Sequence, residues 1–213
     1  TQIAVVTGAA RGIGRATSIA LAREGIKAIA MVDQLDEVVA FCKEANEHFE
    51  RQVMFPFRGD VTSSEFRQHV FDEMKARHGV VSICVPAAGI TRDRLAAKID
   101  RETGEVSLYS EEDFARVLAV DLVAPIYWGV QTVASVAQDR HKRGLKRWNP
   151  AERVQGCVIF IGSVSSAGNR GQISYATAKA GLEGAQATLA AEAIFHGVRC
   201  AIIHPGYTDT PMV

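Results

Sequence analysis

The stretch "VVTGAARGIGRA", Val5–Ala16, runs from an apolar strand into a helical pattern through Gly8, Gly12 and Gly14. Glycine takes φ > 0 without strain and lets the backbone approach a neighbour closely. A helix opening directly after such a turn aims free amides and a partial positive charge back at it, which suits a pyrophosphate. The spacing is GxxxGxG, not the GxGxxG of the common dinucleotide fingerprint, but strand, turn and helix follow in the required order. Gly8, Arg11, Gly12, Ile13 and Gly14 are therefore candidate contacts for a dinucleotide.

Outward from this turn the chain alternates strand and helix. Apolar runs fall at 3–6, 28–32, 53–57, 80–85, 157–161 and 200–203, and they are short, β-branched and continuous. Continuous apolar strands are buried on both faces, as in parallel sheets covered by helices. Helical patterns fill the spaces at about 13–24, 35–49, 63–78, 111–138 and 174–196. The expected fold is α/β, a doubly wound parallel sheet of Rossmann type with helices on both faces, in one domain over 1–213. Ser110-Glu-Glu-Asp113 reads as a capped helix start, and Gly197 as a helix stop. Residues 92–110 read as a polar connection that interrupts this rhythm.

Asp33 ends the second strand, nineteen residues after Gly14. A carboxylate there accepts hydrogen bonds from the adenosine ribose hydroxyls and repels a 2′-phosphate, so the expected cofactor is NAD. Arg11, a cation inside the turn, leaves NADP possible. Asp60 and Val61, after the third strand, are placed to reach the adenine, although an aspartate in a turn is common on its own account.

The 213 residues suffice for one sizeable core. Twenty-four acidic side chains balance twenty-four basic ones, so charge offers no argument for nucleic acid. No apolar run approaches the roughly 20 residues that span a bilayer, and no leader peptide is read, so a cytoplasmic protein is expected. Cys42, Cys84, Cys157 and Cys200 form no CxxC pair and no Cys/His cluster with metal-ligand spacing, which fits reduced, packed thiols.

In "ISYATAK", Ile173–Lys179, Tyr175 and Lys179 stand four residues apart. Residues i and i+4 share a helix face. A lysine cation within about 4–6 Å favours the phenolate, so a depressed phenol pKa and general acid/base work near neutral pH are expected of Tyr175.

With Thr7-Gly8-Ala-Ala-Arg-Gly12-Ile-Gly14, Tyr175-Ala-Thr-Ala-Lys179 and Pro205-Gly206-Tyr-Thr-Asp-Thr in this order, the chain resembles the short-chain dehydrogenase/reductase family. "AAGITRD" (87–93) and "IGSVSSAGNRGQISY" (161–175) look most like its 3-oxoacyl-acyl-carrier-protein reductases and related secondary-alcohol dehydrogenases. The resemblance implies that Lys179 also binds ribose and that a serine after the fifth strand holds the substrate oxygen. Ser163 occupies that place, with Ser165 and Ser166 as rivals because the interval to Tyr175 is one residue short of the usual one. It implies close approach of Ala88-Gly89 to the cofactor, a turn at Pro205-Gly206 under the nicotinamide, and Thr208 or Thr210 on its carboxamide. It also implies a homotetramer, and a substrate lid and further strand that the sequence to Val213 does not reach.

Two departures stand out. Asp121, in "VLAVDLVAP", takes the place of the family's asparagine. Pro125, four residues on, has no N–H for the Asp121 carbonyl. The resemblance implies that this carbonyl orders a water leading to Lys179, so that Asp121 keeps the relay through its backbone despite the changed side chain; the alternative is a polar residue at a helix kink. Pro86 and Ala87 replace the asparagines usual before Ala88-Gly89, so altered bonding at the strand end is expected.

The function implied is NAD(P)-dependent interconversion of a secondary alcohol and a ketone, the latter a small ketone or an acyl thioester. The competing readings are an epimerase or dehydratase of the same superfamily and a catalytically silent NAD-binding module. Residues 140–153 carry Arg140, Lys142, Arg143, Lys146, Arg147 and Arg153 against Glu152. The bland reading is a solvated loop; the sharper one is a docking patch for an acyl carrier protein.

Overall fold

The computed structural model describes residues 2–210. Strands β1 (Ile3–Thr7), β2 (Ala28–Asp33), β3 (Met54–Arg58) and β4 (Ile83–Pro86) alternate with helices α1 (Gly12–Arg23), α2 (Glu37–His48) and α3 (Ser64–Arg77). A two-stranded hairpin follows, β5 (Ala97–Ile99) and β6 (Val106–Leu108). Next come α4 (Glu111–Leu118), a π-helical turn Ala119–Val123 and α5 (Ala124–Lys142). Strand β7 (Gly156–Ile161), helix α6 (Ile173–Ala193) and strand β8 (Val198–Ile203) complete the described chain.

The main sheet has the order β3-β2-β1-β4-β7-β8, and every pairing in it is parallel. Strands β1 and β2 are buried at every position, as continuous apolar runs require. One core lies on each face. Val5, Trp128, Phe160 and Leu182 belong to the first; Val6, Met31, Val38 and Phe41 belong to the second. Chain order reverses between β1 and β4, which opens a crevice at the carboxyl ends of the central strands.

The structure matches the expected alternation and extends it. Ser110 Oγ accepts from the Asp113 N–H at 3.1 Å, the cap read from the sequence. Gly197 takes φ +73° after the 3₁₀ turn that ends α6. The polar connection is not irregular throughout, since it contains the antiparallel β5–β6 hairpin turned at Gly104 with φ +75°. Strand β4 starts three residues later than the apolar run that signalled it. Its ladder to β7 stops at Cys84, two residues before Pro86, which has no N–H to give.

The α4–α5 segment runs from Glu111 to Lys142 with a π-helical turn before Pro125, the local adjustment that a ring without an N–H imposes. By length and composition it passes the test for a membrane span, which the sequence reading had found no run to approach. Trp128, Thr132 and Val136 on it are buried inside the protein, whereas Val123, Tyr127 and Val130 are exposed. Trp128 also donates its indole N–H to the Val61 carbonyl at 3.0 Å.

The basic stretch changes character. Helix α5 reaches Lys142, and Arg140 is 1% exposed, bound to Glu152 at 2.7 Å and donating to the Lys146 carbonyl. Arg143 pairs with Asp139 at 2.8 Å. Arg140 is thus a structural strut under the loop and leaves the proposed docking surface.

Candidate active site

Helix α1 starts at the glycine turn with no side-chain cap and no acid in its first turn, so its first amides stay available. Gly8 and Gly12 have φ of +62° and +56°. A Cβ on Gly8 would lie 2.7 Å from the Ala88 backbone, and one on Gly14 would lie 2.3 Å from the Gly8 carbonyl oxygen. The turn is therefore packed backbone against backbone, and a Cβ would fill the cradle. Asp33 stands beside it, 7% exposed, accepting from Ala10 N–H at 2.9 Å and from Leu35 N–H at 3.1 Å. The carboxylate ties the turn to β2 as well as facing the cleft; its charge stays at the mouth either way. Asp60 accepts from Thr62 N–H and Oγ1, the local turn bond that its residue type favours.

On the other side of the crevice, Tyr175 and Lys179 project from the first turns of α6. Lys179 is 4% exposed; its Nζ donates to the Ile161 carbonyl at 3.1 Å and lies 5.3 Å from the Tyr175 ring centre. Ser163 caps the 3₁₀ turn Val164–Ala167, its Oγ accepting from Ser165 N–H at 3.1 Å. Of the three serines, Ser163 and Ser165 line the cleft and Ser166 does not. Asp121 is completely buried. Its Oδ1 accepts from Ile90 N–H at 2.8 Å and its Oδ2 lies 3.5 Å from Lys179 Nζ.

A single cleft of about 890 Å³ gathers these residues. Gly8, Arg11, Gly12, Ile13, Gly14, Asp33, Asp60 and Val61 line one half of it. Ala88, Gly89, Asp121, Ser163, Tyr175 and Lys179 line the other, and Pro205, Gly206, Thr208 and Thr210 lie along it after β8. Residues from opposite ends of the sequence meet because the parallel sheet brings all its strand ends to one edge.

Two expectations need correction. The Tyr175 phenol is not held below its usual range here. It is pushed up, by burial first and then by the negative charge of Asp121, with Ser163 opposing. The ammonium, itself pulled down by burial, is matched by the Asp121 carboxylate. The Asp121 side chain is accordingly no bystander. Burial pushes its carboxyl up to about 6 against the attraction of Lys179.

The sequence reading also missed several supports. Thr7 Oγ1 accepts from Ala88 N–H at 3.1 Å, tying the end of β1 to the segment after β4. His204 Nδ1 lies 3.1 Å from the Ser163 carbonyl, and a Cβ on Gly162 would lie 2.7 Å from the same imidazole. Arg116 lines the cleft from α4. A threonine ending β1 is a readable signal; the His204 brace has none, because it depends on β7 and β8 pairing.

A glycine turn at the switch point of a parallel sheet, facing a half-buried tyrosine and a buried lysine, defines an NAD(P)-dependent oxidoreductase of the α/β class. Residues 2–213 match the short chain dehydrogenase family, and the chain belongs to it. It is 30% identical over 212 residues to the 3-oxoacyl-[acyl-carrier-protein] reductase FabG of Escherichia coli, covering 99% of this chain and 75% of that one. It is 33% identical over 221 aligned positions to the (3R)-3-hydroxyacyl-CoA dehydrogenase of Mus musculus, covering 100% and 76%. The short-chain reductase protein NovJ of Streptomyces niveus is 34% identical over 219, covering 100% and 71%.

Proposed function

We propose that this chain interconverts a 3-oxoacyl thioester and its 3-hydroxy counterpart, with NAD(H) preferred. The observation that carries the reading is the Tyr175–Lys179 pair, on one face of α6, opposite an uncapped helix start in the same cleft. The names of two relatives, a 3-oxoacyl reductase and a 3-hydroxyacyl dehydrogenase, support a β-oxygenated thioester over other carbonyl compounds.

The residues present fit a nicotinamide dinucleotide. The α1 amides and the turn between Gly8 and Gly14 would hold the pyrophosphate, Asp33 the adenosine ribose, and Lys179 the second ribose. When bound, the dinucleotide supplies or accepts the hydride. Tyr175 gives its proton to the substrate oxygen in reduction and removes it in oxidation. Ser163 donates a hydrogen bond to that oxygen and keeps it near the phenol. Burial of Lys179 and Asp121 keeps bulk water from the back of the phenol.

The test is turnover of acyl thioesters beside simple cyclic and linear ketones, each with NADH and NADPH. A 3-oxoacyl thioester giving the highest kcat/KM supports the reading; turnover of simple ketones alone overturns it. Thioester on an acyl carrier protein, assayed at low and high salt, addresses the loop at 142–153. Loss of efficiency with salt supports docking there, and equal efficiency removes the carrier from the reading.

Asp33→Ser should change cofactor choice. Removing the negative charge at the ribose end is expected to narrow NADH-over-NADPH preference by about tenfold, the effect of ~1.4 kcal/mol. The ratio of the two kcat/KM values measures this. An unchanged ratio would show that Asp33 serves only the turn, through Ala10 and Leu35.

A further inference from the structure

Asp121 replaces a neutral side chain with a charge at a position with no access to solvent. Its two oxygens have different tasks. Oδ1 is fixed by the Ile90 amide, whereas Oδ2 has no hydrogen-bond donor and faces Lys179 Nζ at 3.5 Å. An amide keeping the Ile90 contact would set its NH₂ against the ammonium, donor against donor. The carboxylate turns one acceptor to each of these neighbours.

The charges around the phenol then follow. Lys179 faces Tyr175 from α6 itself, Asp121 from the π-helical turn, and Asp93 from the loop after β4, while Ser163 is neutral and Arg116 lines the cleft from α4. Two carboxylates thus stand against the one lysine, and the lysine is already matched by the nearer of them.

Resting on the role given to Tyr175 above, we propose that Asp121 is a positioning residue that holds Lys179 in a closed ion pair and so keeps Tyr175 protonated, confining alcohol oxidation to more alkaline solution. In reduction the phenol O–H breaks and the substrate O–H forms, while the carbonyl carbon gains the hydride of the reduced dinucleotide; the phenolate then regains a proton from solvent. Oxidation runs both transfers backward and needs the phenolate at the outset. A residue that raises the cost of the phenolate therefore moves the onset of oxidation to more alkaline solution. The upward push on the phenol, to which Asp121 contributes after burial, agrees with this geometry.

The decisive variant is Asp121→Asn, which keeps the shape and removes the charge. Phenolate ultraviolet absorbance of the full chain without dinucleotide is titrated in wild type and D121N, each against its Tyr175→Phe counterpart, so that the difference isolates residue 175. The midpoint is expected to fall by about one unit in D121N, and Asp121→Glu, which retains the charge, to stay near wild type. In turnover, the rising limb of kcat/KM for alcohol oxidation should move down by the same amount. A merely structural role would depress both directions together and leave the phenol midpoint alone. If D121N does not fold, Asp121→Ser, equally uncharged, takes its place. An unchanged midpoint overturns the proposal. Full activity in Tyr175→Phe overturns the role of Tyr175 itself, so the two failures are distinguishable.

Discussion

Tyr175→Phe is expected to lower kcat for carbonyl reduction by roughly a thousandfold, within the range that positioned proton transfer supplies. The loss corresponds to about 4 kcal/mol of transition-state stabilisation. The substitution removes one oxygen and keeps the ring, so the packing of α6 against the π-helical turn survives. Lys179 retains its contacts to Ile161 and Asp121, neither of which involves the phenol oxygen. Dinucleotide binding, followed by quenching of protein fluorescence, should therefore change little while turnover, followed by NAD(P)H absorbance, collapses. That split separates a proton donor from a residue that only shapes the pocket. Wild-type turnover in the variant would remove the central residue of the mechanism.

Gly14→Ala is expected to destabilise the protein by about 2–3 kcal/mol and to abolish measurable dinucleotide binding. Two effects oppose each other. Alanine is the better helix former by about 1 kcal/mol, and Gly14 lies inside α1. Against this, its Cβ would sit 2.3 Å from the Gly8 carbonyl oxygen, a backbone atom that has no rotamer to change. The whole turn must move, and Gly8 is itself packed on the Ala88 backbone. Steric overlap wins. Gly184→Ala provides the internal comparison, because it lies within α6 and its Cβ would meet nothing within 4 Å. The same change there should stabilise by up to about 1 kcal/mol. Chemical denaturation of both variants reads the difference, and equal effects at the two sites would show that the turn is not close-packed.

Much of this architecture was legible because parallel strands buried on both faces write themselves as continuous apolar runs. Ile3–Thr7 and Ala28–Asp33 are such runs, and both proved wholly buried. The glycine turn was equally plain, since positive φ at Gly8 and Gly12 restricts the residue type. The β5–β6 hairpin was not. Its two strands have three residues each and are exposed throughout, so too few positions carry the period-2 pattern. Arg140 read as one more surface cation because nothing in a run of basic residues shows which of them turns inward. Its burial needs the loop to fold back and deliver Glu152, twelve residues on.

Within the site, local spacing put Tyr175 and Lys179 on one helix face. The direction of the phenol's shift could not be had from that pair. It depends on Asp121, brought up by a helix far earlier in the chain, and on how completely both charges are withdrawn from water.

Sequence alone determined the alternation of the six parallel strands with their helices, the glycine turn, and the shared helix face of Tyr175 and Lys179, because each is a local consequence of period, spacing or backbone freedom. The tertiary structure alone decided that the lysine answers to a buried carboxylate before it answers to the phenol. Electrostatic energy depends on distances and burial in three dimensions, and neither is written in the separation of residues along the chain.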